Sequence, residues 1–245
     1  MKFPARAARA LFEKVPPGLA LRLLTLYFVK RLLAIPATLS FSQTGEDQIL
    51  AFYFHKRNGF YVDVGCNDPL SLSNSLFFYL RGWRGIAIDA NEMIIHRFQR
   101  TRKKDVCVAA AVSDSAREVI FHRSESNAVS TIDEEILEDW KGKWKFRPED
   151  QVAVRTVTLT TILEKALPDP TVEIDFMSID VEGHEFQVLS SLDFGRYRPK
   201  LIMVEVHDLK TIFTNRITLF LIEKGYSLAG FVTMNAYFID DSAVM

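Results

Sequence analysis

A chain of 245 residues that is 48% hydrophobic has enough apolar material for one sizeable core, and its 11 glycines and 9 prolines are too few for low-complexity sequence. Two cysteines, Cys66 and Cys107, exclude a disulfide framework or a structural zinc site and suit a reducing, cytoplasmic compartment. The net charge of −1 hides an imbalance: residues 1–31 carry seven basic side chains against Glu13 alone, +6, leaving −7 for the rest, which argues against a nucleic-acid partner for the main body.

The basic segment comes first. Pro16-Pro17-Gly18 divides it into a short helix and a longer one, and Pro36 ends the second. The apolar run from Leu19 to Ile35 is interrupted by Arg22, Lys30 and Arg31, so it lacks the roughly 20 apolar residues of a membrane span. No small-residue cleavage site follows it. Residues 1–41 therefore read as a basic helical appendage with two readings open. One is a helix docked on the domain or on a second subunit of a homo-oligomer; the other, less favoured, is peripheral contact of residues 1–36 with an anionic membrane surface.

Residues 42–245 read as a single domain. Ser42 to Asp47 is a turn or helix cap, Gln48 to His55 a short helix, and Phe60 to Val64 the first strand. The pattern then alternates: a helix over 72–81, a strand over 85–89, a helix over 91–103 and a buried strand over 105–112. Residues 113–157 break the rhythm as an insertion, with strand candidates at Glu118 to His122 and Val152 to Val157 around a charged stretch holding Trp140 and Trp144. Alternation resumes with a helix over 159–166, a strand over 173–180, a helix over 185–192, a strand from Lys200 to Val206 and a helix over 215–223. Two strands close the chain, Tyr226 to Val232 and Ala236 to Ile239. Right-handed βαβ units make this a doubly wound parallel α/β sheet, here with seven principal strands and an antiparallel C-terminal edge hairpin. Periodicity alone leaves a methyltransferase and a nicotinamide-binding Rossmann domain as alternatives.

Three apolar strands end in a carboxylate, Asp63, Asp89 and Asp180, and in a parallel sheet those ends open onto the ligand crevice. The turn Asp63-Val64-Gly65-Cys66-Asn67-Asp68-Pro69 has one glycine and a proline where a pyrophosphate-binding turn carries another glycine. Its Asp63 suits a ligand with a cationic amine, as S-adenosylmethionine (SAM) has. Asp89 suits the hydroxyls of an adenosine ribose, or else caps the helix that follows. Ser113-Asp114 is placed to reach an adenine amino group, or is an ordinary turn. Two neighbouring strand ends, Asp180-Val181-Glu182-Gly183-His184-Glu185 and Glu205-Val206-His207-Asp208, present imidazole and carboxylate together. That combination suits general-base work on a hydroxyl or the binding of a divalent cation.

At these residues the chain resembles the FkbM family of SAM-dependent methyltransferases, over about Ser42 to Ile239. The resemblance rests on Ser42-Gln43-Thr44-Gly45-Glu46-Asp47, on Asp63-Val64-Gly65 with Ser73-Asn74-Ser75, and on Gly82-Trp83-Arg84-Gly85. Further blocks are Ala111-Val112-Ser113-Asp114, Ile174 through Glu185, and Arg198-Pro199-Lys200 leading to Glu205. It implies a class I methyltransferase fold and methyl transfer from SAM to a hydroxyl oxygen of a sugar or glycan, a polyketide or another secondary metabolite. On that resemblance Asp63, Gly65 and Asn67 line the methionine side of the cofactor, Asp89 the ribose and Asp114 the adenine, while Asp180 lies beside the transferring methyl. Gln43, Glu46, Ser73, Asn74 and Ser113 complete the expected cofactor side. The chain departs from the family pattern at Pro69 and Ala90.

The expected base is His184, poised by Glu182 or Asp180, with Glu205 and His207 orienting the acceptor. A less favoured version uses Asp180 and Glu205 as ligands of a divalent ion that acidifies the acceptor. The competing functions are a nicotinamide-dependent reductase and a non-catalytic, membrane-associated scaffold built on a methyltransferase core.

Overall fold

The computed structural model describes residues 22–26, 38–56, 58–123, 130–132, 137–138, 150–167, 169, 171–206 and 209–243. Of the basic appendage it describes residues 38–41 and a helical turn at 22–26, in which Leu23 is buried and Leu26 exposed. The docking and membrane readings of residues 1–36 otherwise concern residues outside that description, as do Trp140, Trp144 and His207. Among the described residues no helix is long and apolar enough to cross a membrane.

The elements follow in chain order: α1 (Glu46–Tyr53), β1 (Phe60–Val64), α2 (Leu76–Arg81), β2 (Arg84–Asp89), α3 (Glu92–Thr101), β3 (Val106–Ala109), β4 (Ala111–Val112), β5 (Glu118–Arg123) and β6 (Asp150–Val157). After them come α4 (Leu159–Ala166), β7 (Phe176–Ile179), α5 (Glu185–Ser190), β8 (Leu201–Glu205), a 3-10 turn at Leu209–Thr211, α6 (Arg216–Glu223), β9 (Tyr226–Val232) and β10 (Asn235–Asp240).

The main sheet has seven strands in the order β3-β2-β1-β7-β8-β10-β9. β1, β2, β3, β7 and β8 pair in parallel, whereas β10 runs antiparallel to both β8 and β9. This is the class I methyltransferase form of the doubly wound sheet, with the expected C-terminal hairpin at its edge. Chain order reverses between β1 and β7, which is where such sheets bind ligands.

The central strands are apolar on both faces because both faces are covered. Successive side chains alternate, so Val62, Val64, Ile179 and Ile202 pack with Leu163, Val188 and Leu221 of α4, α5 and α6. On the opposite face Tyr61, Phe176 and Met203 pack with Leu50 of α1, Phe78 of α2 and the buried Trp83, while Ala87 meets Ile95 and Phe98 of α3.

The apolar run at 105–112 departs from expectation. It is not one buried strand: β3 is the edge of the main sheet, with Val106 38% exposed, and the chain leaves that sheet at Ala110. β4 then pairs in parallel with β6, which pairs antiparallel with β5, so the insertion has its own three-stranded sheet. Small alanines over 109–111 permit the change of sheet; hydropathy cannot register it.

Candidate active site

One cleft opens at the carboxyl ends of β1, β2, β7 and β8, closed on its outer side by the insertion and by the β9–β10 turn. At the end of β1, Asp63 is buried and accepts a hydrogen bond from the Ser75 hydroxyl at 2.5 Å. Burial pushes its carboxyl up, and Ser75 and the Arg102 guanidinium pull against that. Gly65 follows at φ 79°, and a Cβ there would lie 1.7 Å from the carbonyl oxygen of Asp180. Only glycine lets the β1 and β7 ends approach this closely.

At the end of β2, Asp89 accepts backbone N–H bonds from Asn67 at 3.2 Å and Asn91 at 2.8 Å. Burial pushes its carboxyl up to about 6, and those two N–H groups work in the opposite direction. Asn91 itself caps α3 by accepting from the Met93 N–H. The helix-cap alternative for Asp89 is thereby taken by its neighbour, and Asp89 remains a wall of the cleft.

The ends of β7 and β8 are crowded with acid. Asp180 and Glu205 are hydrogen-bonded to each other, and burial, reinforced by repulsion within the cluster, pushes both carboxyls up, so the pair retains a proton near neutrality. Burial pushes Glu182 up to about 8, with Asp180 and Glu185 adding repulsion. Glu182 sits at φ 55°, in a loop pinned by the Glu185 carboxylate, whose Oε1 accepts from the N–H groups of Val181 and Gly183 at 3.0 Å each. Asp180, Glu185 and Glu205 bring acidic oxygens within 4.8 Å of one another, a grouping able to ligate a cation.

Of the residues expected from sequence, Gln43, Glu46, Asp63, Gly65, Asn67, Asn74, Asp89, Asp180, Glu182, His184 and Glu205 all line the cleft. Glu46 is anchored by the Thr44 N–H at 2.8 Å and the Asn235 side-chain amide at 3.2 Å. Burial alone would raise its carboxyl, but the bonds from Thr44 hold it below the ordinary value. Its neighbour Asp47 turns away to hold Ser40, Phe41 and Ser42. Asn74 donates to the Ser178 hydroxyl at 3.1 Å, tying the loop before α2 to β7.

Three expected cofactor residues do not line the cleft. Ser73 is buried behind it, accepting from Arg102 Nη2 at 2.5 Å. Ser113 is also fully buried, its hydroxyl 2.9 Å from His184 Nε2. Asp114 is turned to the surface, bonded by the hydroxyls of Ser113 and Ser115 and 3.8 Å from Arg117. The expected base, His184, is 5% exposed and forms part of the cleft wall through this contact with Ser113.

Several lining residues escaped the sequence reading. Phe121, Thr131 and Ile132 come from the insertion, and Thr131 bonds the Glu182 carbonyl at 2.9 Å. Asn235 pairs in register with Glu205, a relation visible only once the hairpin has a partner strand.

Six carboxylates line the cleft, and no lysine or arginine stands among its described lining residues. That set misfits a pyrophosphate, which needs positive or N–H partners at a glycine-rich turn. It fits SAM, which carries sulfonium and ammonium charges and two ribose hydroxyls.

The sequence profile of the Methyltransferase FkbM domain matches residues 63–228. No curated protein sequence matches the chain significantly. Among solved structures, a TehB-like SAM-dependent methyltransferase from Corynebacterium glutamicum is similar at 12% identity and a TM-score of 0.42, over 88% of this chain and 96% of that one. An O-methyltransferase from Bacillus cereus in complex with SAH aligns at 12% identity and a TM-score of 0.38, over 89% and 90%. The C-terminal domain of precorrin-6Y C5,15-methyltransferase from Rhodobacter capsulatus aligns at 13% and 0.36, over 78% and 84%. The profile match covers Asp63, Asp89, Asp180 and Glu205, and with it the nicotinamide alternative falls: the chain belongs to the FkbM methyltransferase family, with SAM as its cofactor.

Proposed function

We propose that the chain methylates a hydroxyl oxygen of a small-molecule or glycan acceptor, with the Asp180–Glu205 pair as the proton acceptor. The observation that carries this reading is the pair itself, two carboxyls hydrogen-bonded to each other on the cleft wall at neighbouring strand ends, an arrangement that requires a proton between them. Such a pair is basic enough near neutral pH to take a proton from a hydroxyl as the oxygen becomes a nucleophile. Amine acceptors need no such base once neutral.

SAM, when bound, supplies an electrophilic methyl group. The chain's own residues do the rest. Asp63 and Asn67 hold the amino-acid end, Asp89 accepts from the ribose hydroxyls, and Val112 and Phe121 give an apolar wall for the base. Asp180, the ionised member of the pair, takes the acceptor proton, which leaves both carboxyls neutral beside the protonated Glu205, and Glu182 and Asn235 orient the acceptor beside them. His184 passes from base to wall in this reading, because its Nε2 already faces Ser113. Alignment of the acceptor oxygen with the methyl group in the cleft supplies much of the remaining rate. A divalent ion on Asp180, Glu185 and Glu205 is the second version, favoured by their spacing; it would replace the shared proton as the source of acidification.

Calorimetry with SAM and S-adenosylhomocysteine, followed by mass spectrometry over matched alcohol and amine acceptors, tests the proposal. Wild type should bind both cofactor forms, Asp89→Ala should lose about tenfold or more of that affinity, and methyl ethers should form. Methylation confined to amines would sink the oxygen assignment.

A further inference from the structure

We infer that Arg102 is a positioning residue for the amino-acid end of the cofactor, acting through Ser75 on Asp63. The inference rests on the SAM reading of the cleft. Arg102 follows the last turn of α3, is fully buried, and stands outside the set of cleft-lining residues. Its Nε donates to the Pro69 carbonyl at 2.9 Å, Nη1 to the Ser75 hydroxyl at 2.7 Å and Nη2 to the Ser73 hydroxyl at 2.5 Å. Its guanidinium lies 4.8 Å from the Phe98 ring centroid, and Asp105 is 3.7 Å from Nη1. A cation taken this far out of water is costly unless its charge is used.

The hydrogen bonding fixes a direction. Arginine has only donors, so the Ser75 oxygen accepts from Arg102, and its single proton is turned to Asp63, 2.5 Å away. Asp63 is therefore held as the acceptor of that bond, with a cation behind it that favours its charged form against the pull of burial. A carboxylate fixed in that state and facing the cleft is what an incoming ammonium requires. The same guanidinium holds Pro69, so the turn that carries Gly65 and Asn67 is fixed with it.

The test separates the two ends of the ligand. S-adenosylhomocysteine carries the amino acid; methylthioadenosine has the nucleoside and thioether without it. Calorimetry on the full chain should show Ser75→Ala weakening S-adenosylhomocysteine about tenfold while methylthioadenosine stays within about twofold. Arg102→Met should show a larger loss with the same selectivity. Equal loss for the two ligands in Ser75→Ala, the signature of a merely structural role, would overturn the inference, and so would unchanged binding of both. Should Arg102→Met fail to fold, Ser75→Ala decides alone, since it removes one hydroxyl and leaves the cation. A folded wild type that binds neither ligand sinks the SAM reading and the inference with it, an outcome distinct from equal loss, which sinks the inference alone.

Discussion

The two ends of the same strand treat a carboxylate drawn out of water in opposite ways, one fully buried and the other half-buried. Asp175, just before β7, is 1% exposed; Lys56 lies 2.5 Å from it, Lys200 lies 3.6 Å away, and the Phe60 N–H donates to it at 2.9 Å. Asp180, just after β7, has Glu182, Glu185 and Glu205 as its acidic neighbours and no lysine or arginine on the described cleft wall. At the amino end the protein supplies the countercharge, so the carboxylate is a structural clamp between β1, β7 and β8. At the carboxyl end the countercharge is left to a proton or a ligand. Desolvation acts on both; what differs is whether the fold or the reaction balances it.

Substitutions that separate the two roles sharpen the contrast. The largest effect belongs to Asp180→Asn, which should lower kcat by about 10²- to 10⁴-fold while leaving the chain folded. The same variant carries a pH signature. Burial raises the carboxyls of Asp180 and Glu205 from an ordinary value of about 4 toward neutrality and beyond. The folded chain then holds more protons than the unfolded one across that window, so wild-type stability falls as pH rises through it. Thermal melts of Asp180→Asn should show a shallower decline, and an unchanged slope would count against the shared proton.

Asp175→Ala comes next and should do the reverse. It leaves Lys56 and Lys200 without their shared partner and the Phe60 N–H without its acceptor, costing about 2–3 kcal/mol in denaturant unfolding. S-adenosylhomocysteine affinity should stay within about twofold of wild type. The smallest effect belongs to Asp114→Ala, whose carboxylate turns to the surface beside Arg117. Cofactor affinity within about twofold of wild type is expected there, and a larger loss would mean that the carboxylate swings into the cleft when the ligand binds.

Much of this was legible because the sheet is parallel and covered on both faces. Runs such as Phe60 to Val64 and Phe176 to Ile179 are apolar throughout, and the acid that closes each marks the strand end. Residue adjacency was a poorer guide to which side of a strand end a side chain faces. Ser113 and Asp114 follow β4 directly, yet one is buried against His184 and the other is at the surface. Arg102 gave no signal, because a basic residue after a helix reads as a solvated cap that favours the dipole. Its use as a buried cation depends on Ser73, Ser75 and Pro69 arriving from 27 to 33 residues earlier. Thr131 was hidden for the converse reason: it sits in a charged insertion with no periodicity, and its bond to the Glu182 carbonyl is a product of the fold alone.

The insertion leaves the core at β4 and returns at β6, and those strands are direct neighbours, with Ala111 opposite Thr156 and Val112 opposite Val157. Its entry and exit are thus hydrogen-bonded to each other whatever lies between. The closure entropy of a chain grows only slowly with its length, so the intervening segment is free to lengthen, shorten or be exchanged without disturbing the seven-stranded frame. The cleft wall borne by Ser130, Thr131 and Ile132 is in that sense a graftable part, and a natural place for acceptor preference to diverge while the rest of the cofactor half stays fixed.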